Sequence, residues 1–200
     1  MIRSRYLEWI WLGLFFAGLL ASGIHPKDRF TWVLEVFPAW IVLALLIATR
    51  KSFPLTSMLY VFILLHCFIL FAGGRYTYAE VPLGDWVRDA FHQTRNNYDK
   101  LGHFFQGFTP ALAAREILIR KRIVNGQGWL FFLVCSICLA FSALYELLEW
   151  GVAVTTGSGA DAFLGTQGDP WDTQTDMLMA LVGCLAAQVL LRKWQGRLIK

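Results

Sequence analysis

Charged residues are scarce in this 200-residue sequence: Asp, Glu, Lys and Arg make up 16% of it, whereas 56% is hydrophobic. A soluble domain carries roughly 25% charged residues. A soluble chain with this much Leu, Phe and Trp would lack the polar side chains needed to cover its core. The composition therefore excludes an ordinary soluble domain and indicates a protein whose solvent is lipid.

Cysteine is scarce as well, and the cysteines are not arranged as a disulfide framework. Cys67, Cys135, Cys138 and Cys184 all lie inside apolar stretches. Cys135 and Cys138 would lie one helical turn apart, where small buried hydrophobic residues are a simpler interpretation than a CxxC redox or metal site.

A basic groove is also missing, although the net charge is +4. The basic residues form small clusters at the ends of apolar runs, without the interleaved aromatic residues of a nucleic-acid module. No repeat and no second domain stands out. These absences exclude nucleic acid as a partner and favour one integral membrane domain over residues 1–200.

Long apolar runs are what the sequence has in abundance. They predict an all-α, polytopic membrane bundle of about six transmembrane helices, each near the ~20 residues that cross ~30 Å of hydrocarbon. The predicted spans are Leu7–Ile24, Phe30–Thr49, Phe53–Ala72, Leu101–Ile119, Trp129–Val152 and Trp171–Leu191. The first span resembles a cleaved signal peptide, but the five that follow favour a retained anchor.

The distribution of basic residues predicts the orientation. With both termini in the cytoplasm, twelve Lys and Arg residues lie inside and six outside, as the positive-inside rule requires. The outer loop between the third and fourth spans contains Leu83, Val87, Ala90 and Phe91 at helical spacing, which predicts a short interfacial helix. Gly73–Tyr76 predicts a turn.

The second long outer connection is rich in Gly, Ser and Thr. It runs from Thr155–Gly159 to Gly165–Gly168. This composition bends easily, so we expect the segment to cover a cavity.

Polar residues gather at three outer helix ends, and some of them have simple structural explanations. Asp169 before Pro170 fits an N-cap, and Asp172 fits the first helical turn, where the helix dipole favours an acid. Asn97 and Asp99 fit the same positions on the fourth span. For these four residues a structural role is at least as good an interpretation as a catalytic one.

Four other residues lack such an explanation: His103, Glu146, Glu149 and Asp176. The two glutamates approach a helix C-terminus, where the dipole disfavours them, and the other two lie a turn or more inside their spans. At 1.5 Å per residue, all four lie roughly 5–10 Å below the ends of their helices. An ionisable group at such a depth costs about 2.5–3.5 kcal/mol on the gentlest scale, which argues for a partner or a cavity.

Two interpretations of this layer stay open. One is an ion-pair network joining spans four to six, with Arg75, Arg95 or Lys100 as counter-charges. Three bases cannot neutralise six nearby carboxylates, however, so the other interpretation is either raised pKa values or a bound cation. One imidazole with several carboxylates suits Zn²⁺, Mn²⁺ or Fe²⁺ better than Ca²⁺. The candidate metal ligands are Asp99, His103, Glu146, Glu149, Asp172 and Asp176.

The remaining polar residues in or near the spans suggest more ordinary roles. We expect His66 to be hydrogen-bonded between helices, and Glu35 to be interfacial together with Trp32. Arg115 and Glu116 fit an anchor or a local pair near the inner surface. Arg75 and Lys100 are candidates for binding an anionic head group.

Three segments carry a resemblance to known families: Tyr98–Phe105, Tyr145–Trp150 and Gly168–Asp176. With them, the chain resembles the YjdF family of bacterial inner-membrane proteins over nearly its whole length. The motif from Asp99-Lys100 to His103-Phe104 also resembles that of the VanZ-like membrane proteins, although the glutamate pair and the Asp-Pro-Trp-Asp segment depart from their pattern. The first resemblance implies a bacterial cytoplasmic-membrane location, and neither implies a catalytic mechanism.

Three functional hypotheses follow. The leading one is an outward-opening site in which His103, Glu146, Glu149 and Asp176 bind a metal or act catalytically on a lipid-linked envelope substrate. The second is a proton- or cation-coupled transporter, and the third is a structural or regulatory membrane protein without chemistry. Membrane lipid is the expected partner, and the sequence leaves open the oligomeric state and whether the protein is an enzyme.

Overall fold

The computed structural model describes residues 5–157 and 161–199, and every regular element within these ranges is helical. A short 3-10 helix (Tyr78–Glu80) lies between α3 and α4. In chain order the α-helices are α1 (Arg5–Gly23), α2 (Arg29–Thr49), α3 (Ser57–Tyr76), α4 (Pro82–Ala90), α5 (Tyr98–Arg120), α6 (Gln127–Thr156), α7 (Asp161–Leu164), α8 (Asp172–Leu190) and α9 (Arg192–Ile199).

Five of these helices are long and apolar enough to cross a membrane: α1, α2, α3, α6 and α8. They turn large apolar side chains outward, such as Leu45, Leu147 and Val189, each more than half exposed. In water this surface would be very unfavourable, but in lipid it is the expected one. The predicted fold class is therefore confirmed: the protein is a polytopic helical membrane protein.

Helix α5 corresponds to the remaining predicted span. Its 23 residues would cover about 34 Å at 1.5 Å per residue. Unlike the other five, it carries charged residues at both ends, including Asp99 and Lys100 at one and Arg115 and Glu116 at the other. That α5 also spans the membrane stays a prediction.

The limits of α3 correct two sequence predictions. The helix begins at Ser57 rather than at Phe53, because a residue directly before a proline, here Phe53 before Pro54, disfavours the helical conformation and the backbone is still extended at the N-cap Thr56. At its other end Gly73 lies within the helix, so the predicted turn over Gly73–Tyr76 is wrong. A Cβ at Gly73 would come within 2.3 Å of the Tyr78 ring, so the glycine makes room for this tyrosine.

The starts of α5 and α8 differ in part from the predicted caps. Asn97 is the N-cap residue of α5, as predicted, but its side chain makes no capping hydrogen bond. The Asn96 side chain instead accepts a hydrogen bond from the Tyr98 amide, at 3.0 Å. The N-cap of α8 is Trp171 rather than Asp169. Asp169 accepts from the Trp171 amide at 2.9 Å and thus closes a turn that precedes α8. Asp99 and Asp172 lie in the first turns of their helices, as predicted.

Helices α5 and α8 pack backbone against backbone. A Cβ at Gly107 would lie 1.7 Å from the Ala180 carbonyl oxygen, and one at Gly183 would lie 1.9 Å from the Phe104 oxygen. Small residues allow such close approach between helices in membranes. This contact brings the outer end of α5 beside that of α8.

The inner end of α5 is fixed by hydrogen bonds to other elements. Glu116 accepts from the Thr56 amide at 2.9 Å and from its hydroxyl at 2.7 Å. Arg120 also donates to Glu116, at 2.8 Å, whereas Arg115 donates to Gln195 of α9, at 3.1 Å. Arg115 and Glu116 therefore bind separate partners rather than each other.

The outer connection between α3 and α5 contains the short helix that its spacing predicts. Helix α4 exposes Leu83 and Trp86, and Phe91 directly after it is exposed as well. Arg88 on the same helix pairs with Asp85 at 2.8 Å. The helix is thus confirmed, and its position in the membrane interface stays a prediction.

Candidate functional site

Arg95 joins the first turns of α5 and α8. Its guanidinium pairs with Asp99, lies 2.8 Å from an Asp172 oxygen and donates to the Thr166 carbonyl at 2.7 Å. Burial lowers the pKa of Arg95, but the carboxylates of Asp99 and Asp172 raise it by more, so its pKa lies above the ordinary value. Arg95 is therefore a fixed cation at the rim of the site.

Lys100 provides a second cation one turn deeper. Its ammonium lies 2.8 Å from Asp172 Oδ1, 2.8 Å from Asp176 Oδ1 and 3.5 Å from Asp99 Oδ2. Asp99, Asp172 and Asp176 each offer an oxygen within 4.8 Å of the others. Because each of these three aspartates already forms an ion pair with Arg95 or Lys100, the outer group is an ion-pair network.

A different group lies one turn further in, where α5, α6 and α8 meet. His103, Glu146 and Asp176 each place one ligand atom within 4.8 Å of the other two. His103 Nδ1 lies 3.7 Å from Glu146 Oε1, and its Nε2 lies 3.7 Å from Asp176 Oδ1. His103 Nδ1 also lies 3.0 Å from Gln106 Oε1. These distances exceed direct hydrogen bonds to the acids but would allow one ion between the three side chains.

Glu146 is the least satisfied member of this group. Its residue is only 7% exposed, and its Oε1 is buried without a hydrogen-bond partner among the described residues. Buried polar atoms in native proteins almost always have a partner. Glu146 Oε1 is therefore available to bind a ligand, opposite an imidazole and a second carboxylate.

A cavity of about 90 Å³ adjoins the His103 group. This volume is well above the roughly 10–15 Å³ that one water needs. Its walls include Glu35, His66, Tyr78, Tyr145, Glu149 and Asp176. The six acids and the histidine that the sequence singles out thus lie in one outer region, except that Asp169 lies at its rim, 3.5 Å from Arg95.

Glu149 belongs to the cavity rather than to either ligand group within the described chain. It is 9% exposed. Its predicted roles as metal ligand and catalytic residue stay predictions. The structure places it where it would face a bound molecule.

Glu35 does not lie at the interface that its sequence position predicts. It is 3% exposed and lines the cavity. Since α2 begins at Arg29, Glu35 lies about 9 Å below the start of its helix. Glu35 therefore lies as deep in its helix as His103 does in α5, and this depth is visible in the sequence.

His66 and Arg75 also differ from their predicted roles. His66 makes no hydrogen bond within the described ranges. It lines the cavity instead and packs near Phe105, with ring centroids 6.2 Å apart. Arg75 donates to the Ala21 carbonyl of α1. Its guanidinium is therefore not a counter-charge of the cluster, a role that Arg95 and Lys100 fill.

The predicted cover of the cavity lies partly outside the described residues, since Ser158–Ala160 are not among them. On the described side, Phe163, Leu164 and Gly165 line the cavity. The end of α7 and the glycine that follows it therefore close part of the site.

The charges of the whole layer do not balance. Arg95 and Lys100 are the cations in contact with it, within the part of the chain that the structure describes. The same layer contains seven carboxylates: Glu35, Asp99, Glu146, Glu149, Asp169, Asp172 and Asp176. Excess negative charge at this depth is stable only with protons or with further bound cations.

Comparison with known proteins gives two matches. The family described as "Predicted membrane protein (DUF2238)" matches residues 7–197. Inner membrane protein YjdF of Escherichia coli (strain K12) is 52% identical over 182 residues, which cover 91% of this chain and 87% of that protein. No solved structure matches the chain. These matches confirm the likeness to YjdF, whereas the likeness to VanZ-like proteins stays a prediction.

Proposed function

The chain belongs to the DUF2238 family of membrane proteins, and we propose that it binds a divalent metal through His103, Glu146 and Asp176 and acts on a lipid-linked envelope substrate. The observation that supports this function best is the unpaired, buried Oε1 of Glu146 opposite an imidazole and a second carboxylate. Zn²⁺, Mn²⁺ and Fe²⁺ all accept this donor set.

The proposed location is the outer face of a bacterial inner membrane. The relative's name places that protein in the inner membrane. In this chain, the end of the bundle opposite the cluster carries a concentration of basic residues: Arg50, Lys51, Arg120, Lys121, Arg122, Arg192, Lys193 and Arg197. By the positive-inside rule this end faces the cytoplasm, together with both termini. The cluster then faces the periplasm.

The proposed chemistry is hydrolysis or group transfer. A metal in this position would polarise a substrate oxygen or lower the pKa of a bound water. Glu149 faces the cavity without an ion-pair partner in the described ranges, so it has the position of a general base or acid. Lys100 and Arg95 lie beside the site, and Asp172 and Asp176 hold the Lys100 ammonium in place.

A transport function is less well supported. Along α5, the next acidic or basic residue below His103 is Arg115, about 18 Å further in. Between them Gly107 and Gly183 bring α5 and α8 into backbone contact. A relay of charged groups through the bundle would need side chains in this layer.

Elemental analysis of purified protein tests the metal proposal. We expect about one equivalent of transition metal per wild-type chain and a severalfold loss in His103→Ala, because one of three ligands is removed. The matched control is His92→Ala, which removes an imidazole that lies outside the cluster, between α4 and α5. Equal metal content in wild type and His103→Ala, or none in either, would leave the ion-pair network as the better account.

A further inference from the structure

The wall of the cavity also contains polar side chains that do not belong to the proposed metal-ligand group. Glu35 from α2 and Glu149 from α6 are 3% and 9% exposed. Across residues 5–157 and 161–199, neither carboxylate makes a hydrogen bond or an ion pair. Two acids from different helices therefore face one cavity without compensation.

Two tyrosines face the same space. Tyr78 and Tyr145 line the cavity, and their hydroxyls make no hydrogen bond within the described chain. The fold keeps room for Tyr78, since a Cβ at Gly73 would lie 2.3 Å from its ring and one at Gly102 would lie 2.8 Å from it. The tyrosine is thus held in position by two glycines on separate helices.

This wall differs from a metal site. Groups of three ligand atoms within 4.8 Å occur around His103 and around Asp172, but neither group includes Glu35, Glu149 or His66. Separated carboxylates with hydroxyl and aromatic neighbours suit a larger cation that carries several N–H donors. Tyrosine faces also attract ammonium groups.

We propose that Glu35, Glu149, Tyr78 and Tyr145 form a subsite for a primary ammonium group of the substrate. The ammonium donates to both carboxylates and compensates their charge. This inference rests on the proposed function, because it names the part of the substrate that lies beside the metal. The ammonium comes from an aminated lipid head group or from a soluble amine, and the two sources share this chemistry.

Lipid binding by native mass spectrometry tests the subsite. The probes are phosphatidylethanolamine, which has a primary ammonium, and phosphatidylcholine, in which methyl groups replace the N–H donors. We expect about tenfold tighter binding of phosphatidylethanolamine to the wild type, from charge-assisted hydrogen bonds. Glu35→Gln and Glu149→Gln should each remove the preference. Asp89→Asn, which changes an exposed acid of α4, should keep it.

A soluble arm identifies the source of the ammonium. If phosphoethanolamine raises the melting temperature of the wild type more than phosphocholine does, and Glu35→Gln shows no such difference, the subsite is supported and a soluble amine is assigned. Tyr78→Phe removes only a hydroxyl and therefore serves where a glutamate variant fails to fold; it should weaken binding severalfold.

Two results would overturn the inference: no preference for an ammonium over a choline ligand in either arm, or a preference that persists in both glutamine variants. The metal content of each variant is measured in parallel. If the wild type contains metal but shows no preference for the amine, the subsite alone is refuted. If the metal content of His103→Ala equals that of the wild type, the proposed function is refuted.

Discussion

At the scale of single residues, the Glu146 carboxylate distinguishes between two interpretations of the cluster, a functional one and a purely structural one. If the cluster serves only to hold α5, α6 and α8 together, each acid should contribute to stability. Glu146 Oε1 has no hydrogen-bond partner among the described residues, so its charge is a cost to the fold. Such costs are typical of binding and catalytic sites.

We therefore predict that Glu146→Gln keeps or raises the melting temperature of the metal-free protein, since the change removes a buried charge and retains the side-chain shape. The same substitution should reduce metal content severalfold. Differential scanning fluorimetry after chelation, together with elemental analysis, measures both effects. A clear fall in melting temperature with unchanged metal content would favour the structural role.

The sequence identifies most residues of the site but not their partners. Depth and helix position alone identify His103 and Asp176, because an ionisable group inside a span rarely has a purely structural role. The choice of counter-charge depends on which helices face each other. Arg75 and Arg95 flank the same loop and look equivalent in sequence, yet only Arg95 contacts the acids.

At the scale of helices, α5 and α8 form the element pair that positions the site. Their backbone contact at Gly107 sets the distance between the Asp99–His103 face and the Asp172–Asp176 face. A side chain at this contact would have to displace the Ala180 backbone.

Gly107→Ala should therefore lower the free energy of unfolding by about 1–3 kcal/mol, as overpacking does, and weaken metal binding with it. Gly13→Ala is the matched control, since a Cβ there meets nothing within 4 Å. In this helix interior alanine should stabilise by roughly 0.5–1 kcal/mol. Similar melting temperatures for the two variants would show that α5 and α8 are not in close contact.

The limits of a helix can be predicted from sequence where a proline or a capping residue marks them. Pro54 and Thr56 fix the start of α3, although hydropathy alone places the span four residues too early. The close contacts of Gly73, Gly102 and Gly107 are not visible in the sequence, because a glycine in an apolar run is equally compatible with a turn, a bulge or a packing contact.

At the scale of the whole molecule, orientation decides which compartment reaches the site. The basic residues at the end opposite the cluster predict that the site opens to the periplasm. Single cysteines in a cysteine-free background test this directly. Gln93→Cys should react with a membrane-impermeant maleimide in intact cells, whereas Lys193→Cys should react only after lysis. The reverse pattern would place the site in the cytoplasm.

An excess of apolar residues predicts a membrane protein and an all-helical fold. The same criterion identifies α5 less clearly as a membrane span. Asp99, Lys100, Arg115 and Glu116 make this helix the least apolar of the long ones. These residues bind partners on α3, α8, α9 and the loop before α5, so tertiary contacts offset the cost of charges that single-helix hydropathy counts against it.

The central claim is that a metal binds at His103 where α5, α6 and α8 meet. Electron spin-echo envelope modulation of protein loaded with Mn²⁺ measures nitrogen coordination at the ion itself. We predict one imidazole nitrogen coupling in the wild type that persists in His66→Ala and disappears in His103→Ala. Absence of bound Mn²⁺ in the wild type, or a nitrogen coupling that survives in His103→Ala, would contradict the account.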